Sequence, residues 1–208
     1  MRKIQWGWAA LLGLIFVIFS VWYGGSGKPI TAEEGATLLA ELRASYADAP
    51  VTEQSFVSNI EAMIPNDDGK EFYAVNLEQV KHGPEAEAAD AAYARVVIPL
   101  LLARGSHPVF VSERAGLMLG DYGNDVDRVA IVRYRSLRDL MDMVSDPKMI
   151  AGGHHKFAAL DHTEVFITRP IISFIHVRLL VALLLALIGI AGWFGLSYIG
   201  RWRAKRAD

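Results

Sequence analysis

Two unbroken apolar runs lie near the two ends of the chain. The first, Ile4 to Tyr23, and the second, Leu179 to Gly200, contain no charged residue. Because a helix of about 20 apolar residues crosses the hydrocarbon layer of a bilayer, each run predicts a transmembrane helix. A cleaved signal peptide is the alternative for the first run. Its apolar region would be about 7–15 residues long and end in small residues, so an uncleaved anchor is favoured.

The basic residues that flank the two runs predict their orientation. Arg2 and Lys3 precede the first run, and a basic tail over residues 201–206 follows the second. Lysine and arginine concentrate on the cytoplasmic side of membrane helices. We therefore expect both termini in the cytoplasm, with the intervening domain on the outer, periplasmic face of a bacterial inner membrane. The lipid bilayer is the first partner that the sequence predicts.

Between the runs, strand-like and helix-like patterns alternate. Thr31-x-x-Glu34 is typical of a capping box that opens a helix, and a second short helix is expected to end at Met63. Segments rich in β-branched and aromatic residues predict four strands, over residues 71–80, 108–113, 129–135 and 164–168. A helix is predicted over residues 84–104, between the first two strands. Helical turns over residues 136–161 are predicted between the last two.

The element order β-α-β-β-α-β predicts an α+β, ferredoxin-like domain. Its two helices would cover one face of an antiparallel sheet, and the other face is apolar in the first and third strands. A homodimer that pairs two such faces would bury them. We expect four segments: an N-terminal transmembrane anchor, a linker with a helical extension, the ferredoxin-like domain, and a second transmembrane helix with its basic tail, over residues 1–24, 25–65, 66–170 and 171–208.

Small residues recur along the second apolar run. Gly189, Gly192 and Gly195 are spaced by three residues, and small residues allow membrane helices to approach closely. The contact could lie between two chains. It could equally lie within one chain, against Ala9 and Gly13 of the first run.

Composition narrows the function classes. The 208 residues include no cysteine, which excludes disulfides, thiolate metal sites and cysteine nucleophiles. The formal net charge of −2 gives no basic footprint, so no nucleic-acid partner is expected. The chain lacks the glycine-rich phosphate and dinucleotide motifs and the Gly-x-Ser-x-Gly motif, and no cofactor is predicted.

Four stretches carry a family resemblance: PNDDGKEFYAVNL, IPLLLARGSHPVFV, VRYRSLRDLMDMVSDP and HKFAALDHTEVF. The region from Ile60 to Pro170 resembles an uncharacterised branch of the dimeric α/β-barrel superfamily, here flanked by two transmembrane helices. The resemblance implies a ferredoxin-like fold and a homodimer whose two sheets form a barrel. It implies no single activity, because the wider superfamily includes small monooxygenases, haem-degrading enzymes, isomerases and haem peroxidases.

Asn76 is a candidate ligand-binding residue because it is polar in the middle of an apolar strand. Haem-degrading relatives use an asparagine on the first strand together with a tryptophan and a histidine of the second helix. The resemblance therefore implies a role for Asn76 with His154 or His155. All five tryptophans lie in or beside the membrane runs, which counts against haem degradation.

His154 and His155 do not predict a metal site. Adjacent residues diverge by about 100° on a helix, and no His-x-x-x-His pattern occurs. Arg133 and Arg135 are further ligand-binding candidates on the third strand. Inside a dimer barrel they would need an anionic ligand or carboxylate partners, such as Glu113 or Asp139. A structural ion pair is the favoured interpretation.

These patterns favour a membrane-tethered, dimeric α/β-barrel protein that binds a small ligand or serves as an accessory or scaffold module of a membrane complex. A membrane protein would then be a further partner. The alternative is a small cavity enzyme of the monooxygenase or isomerase kind. The first hypothesis is preferred because no nucleophile, acid–base pair or metal cluster stands out.

Overall fold

The computed structural model describes residues 2–47, 51–172 and 176–204, which form two compact units. We call Gly24–Pro170 the sheet unit. We call the other, Met1–Tyr23 with Ile171–Asp208, the end-helix unit. The structure confirms a mixed α+β region between two long apolar helices.

The end-helix unit contains α1 (Arg2–Gly24) and α8 (Val177–Ala204). The segments Lys3–Gly24 and Val177–Tyr198 are long and apolar enough to cross a membrane, so the two helices are compatible with membrane insertion. Residues 205 and 206 of the predicted basic tail lie outside the described residues.

Side chains of α1 contact two glycines of α8. A Cβ atom added to Gly192 would lie 2.4 Å from Nε1 of Trp8, and one added to Gly189 would lie 3.2 Å from Leu12. At these two glycines α8 therefore faces side chains of the same chain. Gly195 differs, because a Cβ atom there would have no neighbour within 4 Å.

The sheet unit contains four strands, β1 (Phe72–Val80), β2 (His107–Glu113), β3 (Arg128–Tyr134) and β4 (Leu160–Thr168). They form one sheet in the order β2-β3-β1-β4, with antiparallel neighbours. Val75 of the inner strand β1 lies opposite Ile131 on one side and Phe166 on the other.

Helices cover one face of this sheet. They are α2 (Ala32–Ser45), α3 (Val51–Met63), α4 (Pro84–Ala103), α5 (Leu137–Val144), α6 (Pro147–Gly152) and α7 (His154–Ala159). Short 3₁₀ turns occur at Ile64–Asn66 and Tyr122–Asp125. Leu42 of α2 and Ile60 of α3 share one buried core with Phe72, Leu101 and Met141. The helical extension therefore packs in the same core as the sheet.

The largest difference from the predicted elements is the start of the last strand. β4 begins at Leu160, four residues before the predicted strand. Leu160 pairs with Val80 of β1, and the backbone N–H of Lys81 donates to the carbonyl of Ala159 at 3.0 Å. Pairing with the long inner strand thus overrides the weak helical pattern of these residues.

Candidate functional site

The two faces of β1 have different surroundings. Side chains alternate between the faces of a strand, and the even-numbered residues 72–78 are buried whereas the odd-numbered residues 73–79 are half-buried. Phe72 belongs to the core that the helices form. The even-numbered side chains, Asn76 and Glu78 among them, therefore lie between the sheet and the helices.

Asn76 is buried, and its amide hydrogen-bonds on both sides. Its Nδ2 donates to the carbonyl of Ala130 at 3.0 Å and to that of Ala74 at 3.4 Å. Its Oδ1 accepts a hydrogen bond of 2.9 Å from Nζ of Lys156, which α7 supplies. The amide thus fixes the position of the lysine amine against the sheet.

The surroundings of Lys156 favour its neutral form. Burial lowers the pKa of this lysine, and the positive charge of Arg128 acts in the same direction, whereas the negative charge of Glu78 opposes them. A buried amine with a lowered pKa can accept a proton or attack a carbonyl group, provided that a substrate reaches it.

Arg128 joins two carboxylates beside this lysine. Its Nε donates to Glu78 at 2.6 Å, and its Nη1 and Nη2 donate to the two oxygens of Asp90 on α4, both at 2.8 Å. These hydrogen bonds hold the pKa of Asp90 below its usual value and raise that of Arg128. Together with Lys156, these residues provide two acidic and two basic side chains. We call Asn76, Lys156, Glu78, Arg128 and Asp90 the polar cluster.

Arg133 and Arg135 occupy ion pairs outside the polar cluster. Arg133 is 1% exposed; its Nε and Nη2 donate to Glu71 at 2.8 and 2.5 Å, and its Nη1 donates to the carbonyl of Gly105 at 2.8 Å. The structure thus pairs it with Glu71 and not with Glu113. Arg135 donates to both carboxylate oxygens of Asp139, through Nε at 2.7 Å and through Nη2.

His154 and His155 begin α7, next to Lys156. Their ring centroids are 4.0 Å apart, so the two rings lie in contact. His154 is exposed and His155 is half-buried. Among the described residues, no group of three or more His, Asp or Glu side chains could hold a metal ion.

Sequence reasoning found Asn76 but missed the charged members of the polar cluster. The alternation along β1 could have identified Glu78, since it shares a face with Phe72 and Asn76. No comparable signal marks Lys156. It follows two histidines in a helix of six residues, which is too short for a periodic pattern.

The sheet face away from the helices is apolar at its centre. Val75 and Leu77 of β1 lie beside Ile131 of β3 on this face, and the neighbouring strands add Phe110 and Phe166. Phe110 is 53% exposed and Phe166 is 45% exposed. We call these five residues the apolar sheet face. Polar residues surround them at Gln79, Ser112, His162, Glu164 and Thr168.

Comparisons with known proteins show the fold alone. No family model and no curated protein matches the chain. A solved protein of unknown function from Rhodopseudomonas palustris is 22% identical, with a TM-score of 0.50, over 60% of this chain and 96% of that chain.

Two further structures are less similar. A hydroxynitrile lyase from Passiflora edulis is 11% identical, with a TM-score of 0.39, over 51% of this chain and 99% of its own. An Arabidopsis thaliana protein is 16% identical, with a TM-score of 0.37, over 50% of this chain and 99% of its own. The Rhodopseudomonas structure therefore carries the likeness, which is one of fold: helices packed with a four-stranded antiparallel sheet.

Proposed function

We propose that this protein is a membrane-anchored homodimer of ferredoxin-like domains that serves as a binding or scaffold module of a membrane assembly. The observation that carries the proposal is the apolar sheet face. Large apolar side chains such as Phe110 and Phe166, gathered on one side of a sheet, are typical of an interaction surface.

The order of the elements supports a ferredoxin-like domain. The chain runs β1-α4-β2-β3, continues through α5, α6 and α7, and ends in β4. The spatial order is β2-β3-β1-β4. This is the arrangement expected of a split βαβ unit with its helices on one face.

The chemistry of the face supports a second copy as its partner. Its centre is apolar and uncharged, whereas its border includes His162 and Glu164. An apolar core with a polar rim is the usual anatomy of a protein interface. Two identical faces related by a twofold axis would each bury the apolar side chains of the other.

The two end helices support attachment to a membrane. Both are long and apolar, and the sequence places Arg2 and Lys3 before the first and a basic tail after the second. By the positive-inside rule, both termini would lie in the cytoplasm and the sheet unit on the opposite side of a bacterial inner membrane.

The test compares two isoleucine substitutions in the full chain, purified in detergent. Ile131→Glu places a carboxylate in the apolar sheet face, whereas Ile150→Glu places one on α6, where the isoleucine is already 42% exposed. Sedimentation should show a dimer for the wild type and for Ile150→Glu, and a monomer for Ile131→Glu. Circular dichroism should show that the Ile131→Glu monomer is folded. A wild-type monomer at tens of micromolar would contradict the proposal.

One observation favours a small cavity enzyme as a second candidate. Lys156 is half-buried, its amine is hydrogen-bonded to Asn76, and burial lowers its pKa. Such an amine forms an imine with a carbonyl compound. Incubation with a small aldehyde and borohydride, followed by peptide mass analysis, should label Lys156 in preference to the exposed Lys70 if this candidate is correct. Equal labelling would reject it.

A further inference from the structure

We propose that the loop between β2 and β3 is a dimer arm, whose apolar tip docks on the second copy of this chain. The inference rests on the proposed homodimer. It adds a second contact surface to the apolar sheet face. The loop covers residues 114–127, and its tip has the sequence Gly116-Leu-Met-Leu-Gly120.

The tip exposes more apolar surface than an isolated folded domain needs. Leu119 is 93% exposed, Met118 is exposed completely, and Leu117 is 44% exposed. Gly120 has a positive φ of 77°, a conformation that favours glycine. Consecutive apolar residues on a built turn are typical of a docking element.

The base of the loop is held in place by hydrogen bonds. The N–H of Arg114 donates to the carbonyl of Asp127 at 2.7 Å, and the N–H of Asp127 donates to the carbonyl of Glu78 at 2.8 Å. Further along, a Cβ atom on Gly123 would lie 3.0 Å from Leu117. The tip is therefore presented by an ordered support.

The loop reaches the side of the sheet that carries the apolar sheet face. The hydroxyl of Tyr122 donates to Glu164 of β4 at 2.5 Å. Glu164 pairs with Leu77, so both side chains lie on that face. The loop therefore borders the apolar sheet face at Tyr122.

The size of the sheet also favours a second contact. Its strands are seven to nine residues long, so four strands give a flat footprint of roughly 450 Å². Each partner in a stable complex commonly buries about 800 Å². An arm from each protomer would supply part of the difference.

Charge argues against the bilayer as the occupant. Residues 113–127 contain four acidic residues and one basic residue, which anionic lipid headgroups would repel.

The experiment uses the full chain in detergent and measures dimer dissociation on dilution. Met118→Ser combined with Leu119→Ser should raise the dissociation constant at least tenfold. The control, Ile98→Ser with Leu102→Ser on α4, removes two side chains that are 39% and 45% exposed and should leave the constant unchanged. An unchanged constant in the loop variant would overturn the arm while leaving the sheet-face dimer intact.

A cross-link identifies the occupant directly. Because the chain has no cysteine, a photoreactive maleimide attached to Met118→Cys labels one position. After illumination in vesicles of neutral and anionic lipid, a covalent dimer of this chain supports the arm. Adducts between the probe and lipid would overturn it. A dimer whose two chains are not cross-linked by the probe would overturn it too. A wild type that is monomeric at every concentration would instead overturn the proposed homodimer.

Discussion

Lys156 of α7 and Asn76 of β1 meet between the helix layer and the sheet, with Nζ donating to Oδ1 at 2.9 Å. The contact joins residues that are 80 positions apart in the chain. It also places a titratable amine beside Glu78 and Arg128, both of which affect its pKa. The contribution of the polar cluster to stability should therefore depend on pH.

We predict that the wild type gains stability relative to Lys156→Met as the pH rises toward 10.5, the ordinary pKa of lysine. Burial lowers the pKa of folded Lys156 below the ordinary 10.5. Between those two values, the unfolded chain binds a proton that the folded chain lacks, so the free energy of unfolding rises with pH. The slope is at most about 1.4 kcal/mol per pH unit.

Urea unfolding at several pH values, followed by circular dichroism, checks this difference. Only the difference between the two proteins is interpreted, because Tyr93 and Tyr134, whose pKa values burial raises, titrate in both of them. Lys70→Met is the control, since this lysine side chain is 76% exposed. Parallel curves for the wild type and Lys156→Met would show that the amine does not titrate differently on folding.

Arg128→Ala should destabilise the sheet unit by about 3 kcal/mol, because it leaves Glu78 as a buried carboxylate without its guanidinium partner. This loss of stability is at the low end of the range for breaking a buried ion pair, since the Asp90 side chain is 36% exposed. The matched control is Arg43→Ala. Arg43 and its partner Glu61 are 55% and 52% exposed, so this change should cost less than about 1 kcal/mol. Equal costs, measured by urea unfolding, would mean that the polar cluster contributes no more than a surface pair.

The orientation can be tested with two fusions of a reporter that is active only in the cytoplasm. At the C-terminus, after Asp208, the reporter should be active because the basic tail remains inside. Inserted near Gly25, it should be inactive because this position follows the first span. The opposite pair of results would reverse the proposed topology.

Local signals in the sequence predicted most elements of the sheet unit. The N–H of Glu34 donates to Oγ1 of Thr31 at 3.2 Å, and that of Asp139 donates to Oγ of Ser136 at 3.2 Å, as helix caps do. The first three strands begin and end within one residue of their predicted limits. Caps and alternation succeed because each depends on a few neighbouring residues.

The contact between Lys156 and Asn76 in the polar cluster, and the ion pair of Arg133 outside it, could not be predicted in the same way. Lys156 and Asn76 meet only because α7 packs over β1, and Arg133 pairs with Glu71, 62 residues earlier in the chain. No local sequence pattern encodes contacts between residues that lie so far apart in the chain. The early start of β4 has the same origin, because its pairing with Val80 is a contact between distant segments.

The last prediction concerns the contact between α1 and α8. Gln5→Cys combined with Ser197→Cys should be joined by a short thiol cross-linker, because Nε2 of Gln5 donates to Oγ of Ser197 at 2.6 Å and the chain has no other cysteine. In this background, Gly192→Leu should abolish most of the cross-link. Its Cβ would lie 2.4 Å from Nε1 of Trp8, so the Trp8 ring or the two helices must move.

Gly195→Leu is the matched control. It adds the same side chain to the same helix, and a Cβ there would meet no neighbour within 4 Å. The cross-link should then form as readily as in the parent, when measured in vesicles by the gel mobility of the cross-linked chain. Equal loss in both variants would show that leucine perturbs α8 generally. Loss in neither would show that the contact between Gly192 and Trp8 does not hold the two helices together, since close packing at a glycine cannot accommodate a larger side chain without movement.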